Sequence, residues 1–437
     1  MNAQIDRPAK VTEPALRMDA IPAERYVSAD YYRKEWSGMW MRTWHIAGMA
    51  YQVSEPGDYL VANLGPESIL IVRQDDGKSR AFYNVCPHRG TRLLQGPDGF
   101  AERFTCPYHG WQFNHQGTVI HVPHAADYME GDPCGRLRLT EIQCDELFGF
   151  VWFNMDPNAL SLRDYLGSTV VDEIAGYGME NMVRVLNMTA HAECNWKIIT
   201  DNFNEAYHVP VLHPELIPYI ESDPASCQFD LLEHGHNRGW FPSHQPSRVY
   251  EGDEVAEPLI SLISEWGLDP TKYRKGEFSR IRRDLQMQKR KLGPSRGYEH
   301  YEHLADYQLT DYIIYNLFPN SVITVGPDGV QLLRPRPHES DPARCYFEHW
   351  WLVPRIEGRK FTPSPAGGPD LPVEDAELEI VEFGEKTLGR TADQDLSIAS
   401  IQQAGLNSAG FHRFHLCHQE RRVQRFHEVL NDYVAQV

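Results

Sequence analysis

The stretch Cys86-Pro-His88-Arg-Gly90, followed by Cys106-Pro-Tyr-His109-Gly-Trp111, decides how the rest of this 437-residue chain is read. As a pattern it is Cys-x-His, seventeen intervening residues, then Cys-x-x-His, so two thiolates and two imidazoles fall within 24 residues. Each pair sits on a tight turn, and the glycines beside them let backbone pack closely around a small inorganic centre. Two metal chemistries compete for such a set. Tetrahedral zinc accepts two cysteines and two histidines, but in zinc fingers each turn supplies two like ligands. Here each turn supplies one of each. That interleaving suits a [2Fe–2S] cluster with two thiolates on one iron and two imidazoles on the other. Neutral imidazoles leave the cluster less negative than four thiolates would, which raises its potential and makes it a ready electron acceptor.

Outward from this motif, short β-runs broken by Gly, Pro and Asp extend from Trp44 to about Asn154. Ser68-Ile-Leu-Ile-Val-Arg73, the turn Asp75-Asp-Gly77, Gly117-Thr-Val-Ile120 and the run Leu147 to Asn154 are examples. They predict a small all-β domain over residues 41–160, closed by Asp156-Pro157-Asn158. Residues 1–40 read as an N-terminal arm with a short helix from Ser28 to Trp36, expected to pack on the domain formed by residues 161–437. Residues 161–437 mix helices with longer strands. Trp196 to His208 reads as a helix ended by Pro210, and Asp393 to Ala404 and Gln419 to Tyr433 read as two more. Ser321 to Val325, Val330 to Arg334 and Cys345 to Val353 read as successive strands of an antiparallel sheet. Thr362 to Pro369 is a flexible loop.

Composition excludes several classes. Lys and Arg number 42 against 61 Asp and Glu, a formal charge of −19, with 41% hydrophobic and 24% charged residues. These are fractions of an ordinary globular protein, and an acidic chain is a poor general binder of nucleic acid. No run approaches the roughly 18–20 consecutive apolar residues of a membrane span. The first thirty residues carry Asp6, Glu13 and Asp19 and lack an apolar signal core, so the expected setting is the cytoplasm. Eight cysteines are too few for a disulfide framework, and a reducing compartment favours a metal role for the two clustered ones.

A second constellation lies in Asn195-Trp-Lys-Ile-Ile-Thr-Asp201-Asn202-Phe-Asn-Glu205-Ala-Tyr-His208-Val-Pro-Val-Leu-His213-Pro214. On a helix Glu205 and His208, three apart, share a face. Pro210 then stops the helix and lets His213 swing toward the same point. Two histidines and one carboxylate on one side of an iron leave its other positions open to O2. The carboxylate need not be local. Asp395 lies on a helical segment whose face is read to include Ile398, Ala399 and Gln402, and a carboxylate on such a face is costly unless something positive meets it. Asp393 is the rival, at the helix start, where a capping role accounts for an acidic residue.

The first motif closely resembles the Rieske motif. Together with Asp-Asn-Phe-x-Glu-x-Tyr-His-x4-His and the later Gln394-Asp395, it makes the chain resemble, over nearly its whole length, the large (α) subunit of Rieske non-haem iron oxygenases, the aromatic-ring-hydroxylating dioxygenase family. The resemblance implies an α+β fold: a small all-β Rieske domain and a catalytic domain with an antiparallel sheet flanked by helices. It implies that Cys86, His88, Cys106 and His109 hold the [2Fe–2S] cluster, and that His208, His213 and Asp395 hold a mononuclear Fe(II). It gives Glu205 the role of bridging a cluster histidine of a neighbouring subunit to His208. Many ring-hydroxylating members have Asp at that position, and Glu is found in relatives acting on quaternary amines.

The activity implied is that of a terminal oxygenase component, a mono- or dioxygenase inserting oxygen from O2 into an aromatic or similar apolar substrate. Hydroxylation or N-demethylation of a quaternary amine or betaine is the alternative, and an electron-transfer Rieske protein without a second iron is the rival of another class. No Gly-x-Gly-x-x-Gly fingerprint is present, so NAD(P)H electrons are expected through a separate reductase, with or without a ferredoxin. A homotrimer is implied, with or without a small β subunit. Three other features have plainer readings. His412, His415, Cys417 and His418 lack partners spaced to complete a metal site. The basic run from Lys272 to Lys291 has one apolar stripe and reads as a helix with a solvated face, with docking of an acidic ferredoxin as the sharper alternative. Tyr346, Phe347, Trp350 and Trp351 read mostly as core.

Overall fold

The computed structural model describes residues 7–365 and 369–436, so Ala366 to Gly368 of the expected loop lie outside the described residues. The chain divides into two compact units, Trp36–Tyr165 and the described residues up to Glu35 with those from Leu166 onward.

In the first unit, seven strands form an antiparallel sheet in the order His45–Met49, Phe150–Asn154, Glu141–Leu147, Ser79–Tyr83, Glu67–Arg73, Asp58–Leu64, Asp98–Phe100. The apolar run Ile69 to Val72 is wholly buried, as expected of a strand covered on both faces. Phe104–Thr105, Gln112–Phe113 and Val119–His121 form a small second sheet. Leu70, Phe82, Phe104, Trp111, Phe113 and Val119 share one apolar cluster with Cys86 and Cys106. The segment Leu147 to Asn154, read from sequence as one strand, is a hairpin. Phe148 and Gly149 take φ of 58° and 75°, and the chain reverses so that Phe150 faces Leu147. A two-residue loop with both φ positive matches the twist of the flanking strands.

The second unit is built on an eight-stranded sheet, ordered Gln228–Leu231, Asn237–Phe241, Tyr312–Leu317, Ser321–Gly326, Gly329–Pro337, Cys345–Pro354, Met182–Ala192, Glu379–Glu382. All neighbours are antiparallel except the last, which runs parallel to Met182–Ala192. The register aligns Asn237, Asn316, Val322, Leu333, His349 and Met188 in one row, so they share a face. Helix Trp196–Phe203 lies against that face: Asn316 Nδ2 donates to the Phe203 carbonyl at 3.1 Å, and Phe203 stacks on Phe347.

The basic run forms helix Ser279–Leu292, with Ile281 and Leu285 fully buried. Arg280, Arg282, Lys289 and Arg290 pair with Glu277, Asp311, Asp328 and Asp306 at 2.6–2.9 Å. Trp350 and Phe347 are buried in the sheet, with Arg184 and Arg334 over the Trp350 ring.

Candidate metal centres

The two turns of the first motif are built alike. Cys86 N donates to the Thr91 carbonyl and Gly90 N to the Cys86 carbonyl; Cys106 N donates to the Trp111 carbonyl and Gly110 N to the Cys106 carbonyl, all at 2.8–3.1 Å. Gly90 and Gly110 close these turns with φ of 78° and 70°, a conformation that side-chain-bearing residues rarely adopt. Both cysteines are buried, and burial together with a hydrogen bond to Cys106 pushes the Cys86 thiol up to about 11. A thiol so raised is costly to ionise unless a cation meets it, which is what iron would supply. The His88 and His109 rings lie 4.6 Å apart, centre to centre, at 74°. His88 stacks flat on Trp111, whose Nε1 donates to Tyr128 Oη at 2.9 Å. His88 Nδ1 is buried without a hydrogen-bond partner, an orphaned lone pair suited to a metal. Two thiols, two imidazoles and this orphaned nitrogen fit a [2Fe–2S] cluster.

In the second unit His208, His213 and Asp395 offer ligand atoms within 4.8 Å of one another. His213 Nε2 is 2.9 Å from Asp395 Oδ1, His208 Nε2 is 3.7 Å from it, and the two rings meet edge to face. The other nitrogen of each ring is occupied. His208 Nδ1 donates to Glu205 Oε1 at 2.5 Å, and His213 Nδ1 donates to Gln394 Oε1 at 2.7 Å. A carboxylate or carbonyl on Nδ1 fixes the tautomer and leaves Nε2 as the lone-pair donor. Burial works against a charged His213, but the hydrogen bond and charge of Asp395 outweigh it and hold the imidazolium above its ordinary range. Among the described residues no other group of three His, Cys, Asp or Glu converges this tightly. The set could hold one iron with open positions.

Three details differ from the sequence expectation. The helix from Trp196 ends at Phe203, so Glu205 and His208 stand in a turn and do not share a helix face. Asn204 caps the helix, its side chain donating to the Thr200 carbonyl at 2.9 Å. Glu205 Oε2 then accepts from the Tyr207 and His208 amides, which brings the two side chains together. Pro210 starts the short helix Val209–Leu212 rather than stopping the earlier one, because its fixed φ and missing N–H suit a first turn. In helix Arg390–Leu406 the buried face is Ala392, Asp395, Leu396, Ala399, Gln403 and Leu406, while Ile398 and Gln402 are exposed. Asp393 accepts from Thr387 Oγ1 and Leu388 N at the start of that helix. His412, His415, Cys417 and His418 belong to no metal-type grouping among the described residues. The roles of Gln394 and Trp111 were missed in the sequence, although both lie within its motifs.

A family model described as ring hydroxylating alpha subunit (catalytic domain) matches residues 179–436, and one described as Rieske [2Fe-2S] domain matches residues 43–139. The carnitine monooxygenase oxygenase subunit of Escherichia coli (strain K12) is 32% identical over 246 residues, 54% of this chain and 63% of that protein. The match thus spans less than two thirds of the relative's own length. Benzene 1,2-dioxygenase subunit alpha of Pseudomonas putida (strain F1) is 30% identical over 193 residues, 42% of each chain. The solved structure of a quaternary ammonium Rieske monooxygenase shares the fold, with a TM-score of 0.66 at 18% identity over 95% of both chains. The catalytic-domain match covers more than half of the sequence and the Rieske match precedes it, so the chain belongs to the ring-hydroxylating alpha-subunit family of Rieske oxygenases.

Proposed function

We propose that this chain is the terminal oxygenase component of a Rieske non-haem iron oxygenase system. The observation that carries the reading is the convergence of His208, His213 and Asp395, with Nδ1 of each histidine already engaged, in a chain that also bears the four Rieske-type ligands. An electron carrier needs only the latter. When bound, the cluster would store an electron and the mononuclear iron would activate dioxygen using electrons from outside the chain. Cys86, Cys106, His88 and His109 would hold the cluster; His208, His213 and Asp395 would hold the iron.

Glu205 keeps the His208 Nδ1 proton in place and turns Nε2 toward Asp395. Gln394 does the same for His213. Asp395, buried on its helix, brings negative charge that partly balances a dication. The partners proposed are a reductase, with or without a ferredoxin, and two further copies of the chain in a homotrimer, with or without a small β subunit. A cytoplasmic setting accords with the absence, among the described residues, of a helix long and apolar enough to cross a membrane.

Two substrate classes are supported by different observations. Glu205 and the likeness to a carnitine monooxygenase favour a quaternary amine, oxidised by hydroxylation or N-demethylation. The likeness to a benzene dioxygenase alpha subunit favours an aromatic or apolar compound. Two measurements on purified, iron-replete protein test the function. Iron per chain should be about three by ligand count, whereas two would make the chain a carrier. Oxygen uptake with a generic reductase, across betaines, aromatic acids and apolar aromatics, should rise with one class. Uptake with none of them would overturn the oxygenase reading.

A further inference from the structure

Arg422 is wholly buried at the start of helix Arg421–Val434, yet among the described residues no carboxylate lies within ion-pair distance of it. Its Nη1 donates to Asn237 Oδ1 at 3.2 Å, its guanidinium lies 4.8 Å from the centre of the Phe229 ring, and its Nε and Nη2 have no hydrogen-bond partner among the described residues. Asn237 Nδ2 passes the contact on, donating to Asn204 Oδ1 at 2.6 Å. Asn316 Nδ2 braces the same point, donating to Asn237 Oδ1 and to the Phe203 carbonyl, both at 3.1 Å. Asn204, Asn237 and Asn316 are all nine-tenths or more buried. This relay ends at the residue where the helix breaks and immediately before Glu205.

We propose that Arg422 is a positioning residue for Glu205, acting through Asn237 and Asn204 on the turn in which Glu205 meets His208. This rests on the oxygenase reading above.

Three arguments support it. A buried guanidinium with one of its five donors used is costly, so an arrangement that served only packing would be better made by an apolar side chain. The guanidinium sits tight against the neighbouring strand: a Cβ at Gly239 would lie 2.9 Å from Arg422 Nη1, so only a residue without a side chain leaves room for the fork there. The carboxylate that most favours the charged guanidinium is Glu205, and this attraction partly offsets the burial that lowers Arg422 to about 10. A buried positive charge that attracts the Glu205 carboxylate would keep it from rotating to solvent and so preserve its contact with His208 Nδ1.

The test uses the holoenzyme with its cluster reduced, mixed with O2 and the compound of the panel above that raises oxygen uptake, and follows single-turnover oxidation of the cluster. Arg422→Met should slow it about tenfold or more, as loss of a group supporting a metal ligand does, while the visible cluster spectrum stays. Arg422→Lys, which keeps the charge, should recover most of that loss. In a Glu205→Gln background Arg422→Met should add less than about twofold, because the two act as one unit. Wild-type rates in Arg422→Met, or losses that multiply with Glu205→Gln, overturn the inference. If Arg422→Met yields no folded protein, Asn237→Ser is put through the same cycle with the same outcomes. Should Glu205→Gln itself leave the rate unchanged, the bridging role of Glu205 fails; should it slow the rate while Arg422→Met does not, only the present inference fails.

Discussion

His208 shows how much a single ring depends on its neighbours. Its Nε2 points at Asp395 because its Nδ1 is held by Glu205 three residues back, through a hydrogen bond that selects one tautomer. His208→Ala is expected to lose the mononuclear iron and the activity while the visible spectrum of the cluster survives. Metal analysis beside the absorption spectrum checks this, and loss of the cluster in that variant would falsify the division of ligands between the two centres. The two nearby aspartates separate in the same way. Asp395 is buried against His213, whereas Asp393 caps the start of its helix through Thr387 and Leu388. Fe(II) titration of Asp395→Asn should therefore show an affinity loss far greater than that of Asp393→Asn, and the reverse order would move the ligand. The proposed ligand types and spacings are read from sequence, since thiolates and imidazoles interleaved on two turns suit a mixed-ligand cluster better than a zinc finger, and the structure brings His208, His213 and Asp395 together. Gln394 was not, because a neutral amide gives no signal until its oxygen is seen on His213 Nδ1.

Elements were legible where periodicity was strong and misjudged where one polar residue overrode it. Strand Ser321–Gly326 and its two successors followed their apolar runs. The helix from Trp196 was read to His208 because nothing in the pattern marks Phe203 as its end; the stop is made by Asn204 and by tertiary partners on a distant strand. The Phe148-Gly149 turn was hidden for a different reason, an aromatic at positive φ inside an otherwise apolar run. Helix Trp196–Phe203 is also tied to the N-terminal segment by an ion pair, Lys197 to Glu35 at 2.7 Å, with both side chains wholly buried and the ammonium close to the rings of Tyr26, Tyr31 and Trp196. Lys197→Met alone strands a buried carboxylate and should cost about 3–5 kcal/mol. Adding Glu35→Gln should recover a large part of that loss. Chemical denaturation of the two variants measures the difference, and equal losses would show that packing, not charge, sets it.

At the scale of the whole molecule, the proposed electron supply requires partners that one chain does not contain, and the homotrimer is the assembly expected from the resemblance. Light scattering on the iron-loaded protein should give three times the mass of one chain at concentrations where activity is linear. A monomer with full activity would remove the need for a neighbour. One feature of the proposed iron site reaches across the second unit. His213 and Asp395 stand 182 positions apart, and nearly all the strands of the large sheet lie between them. An ion gripped by both would act as a buckle on that loop, favouring the closed chain over the open one by mass action. Iron-starved copies should then be the ones that proteases nick first, so a cell short of iron would clear empty copies by the same geometry that secures the ion in loaded ones.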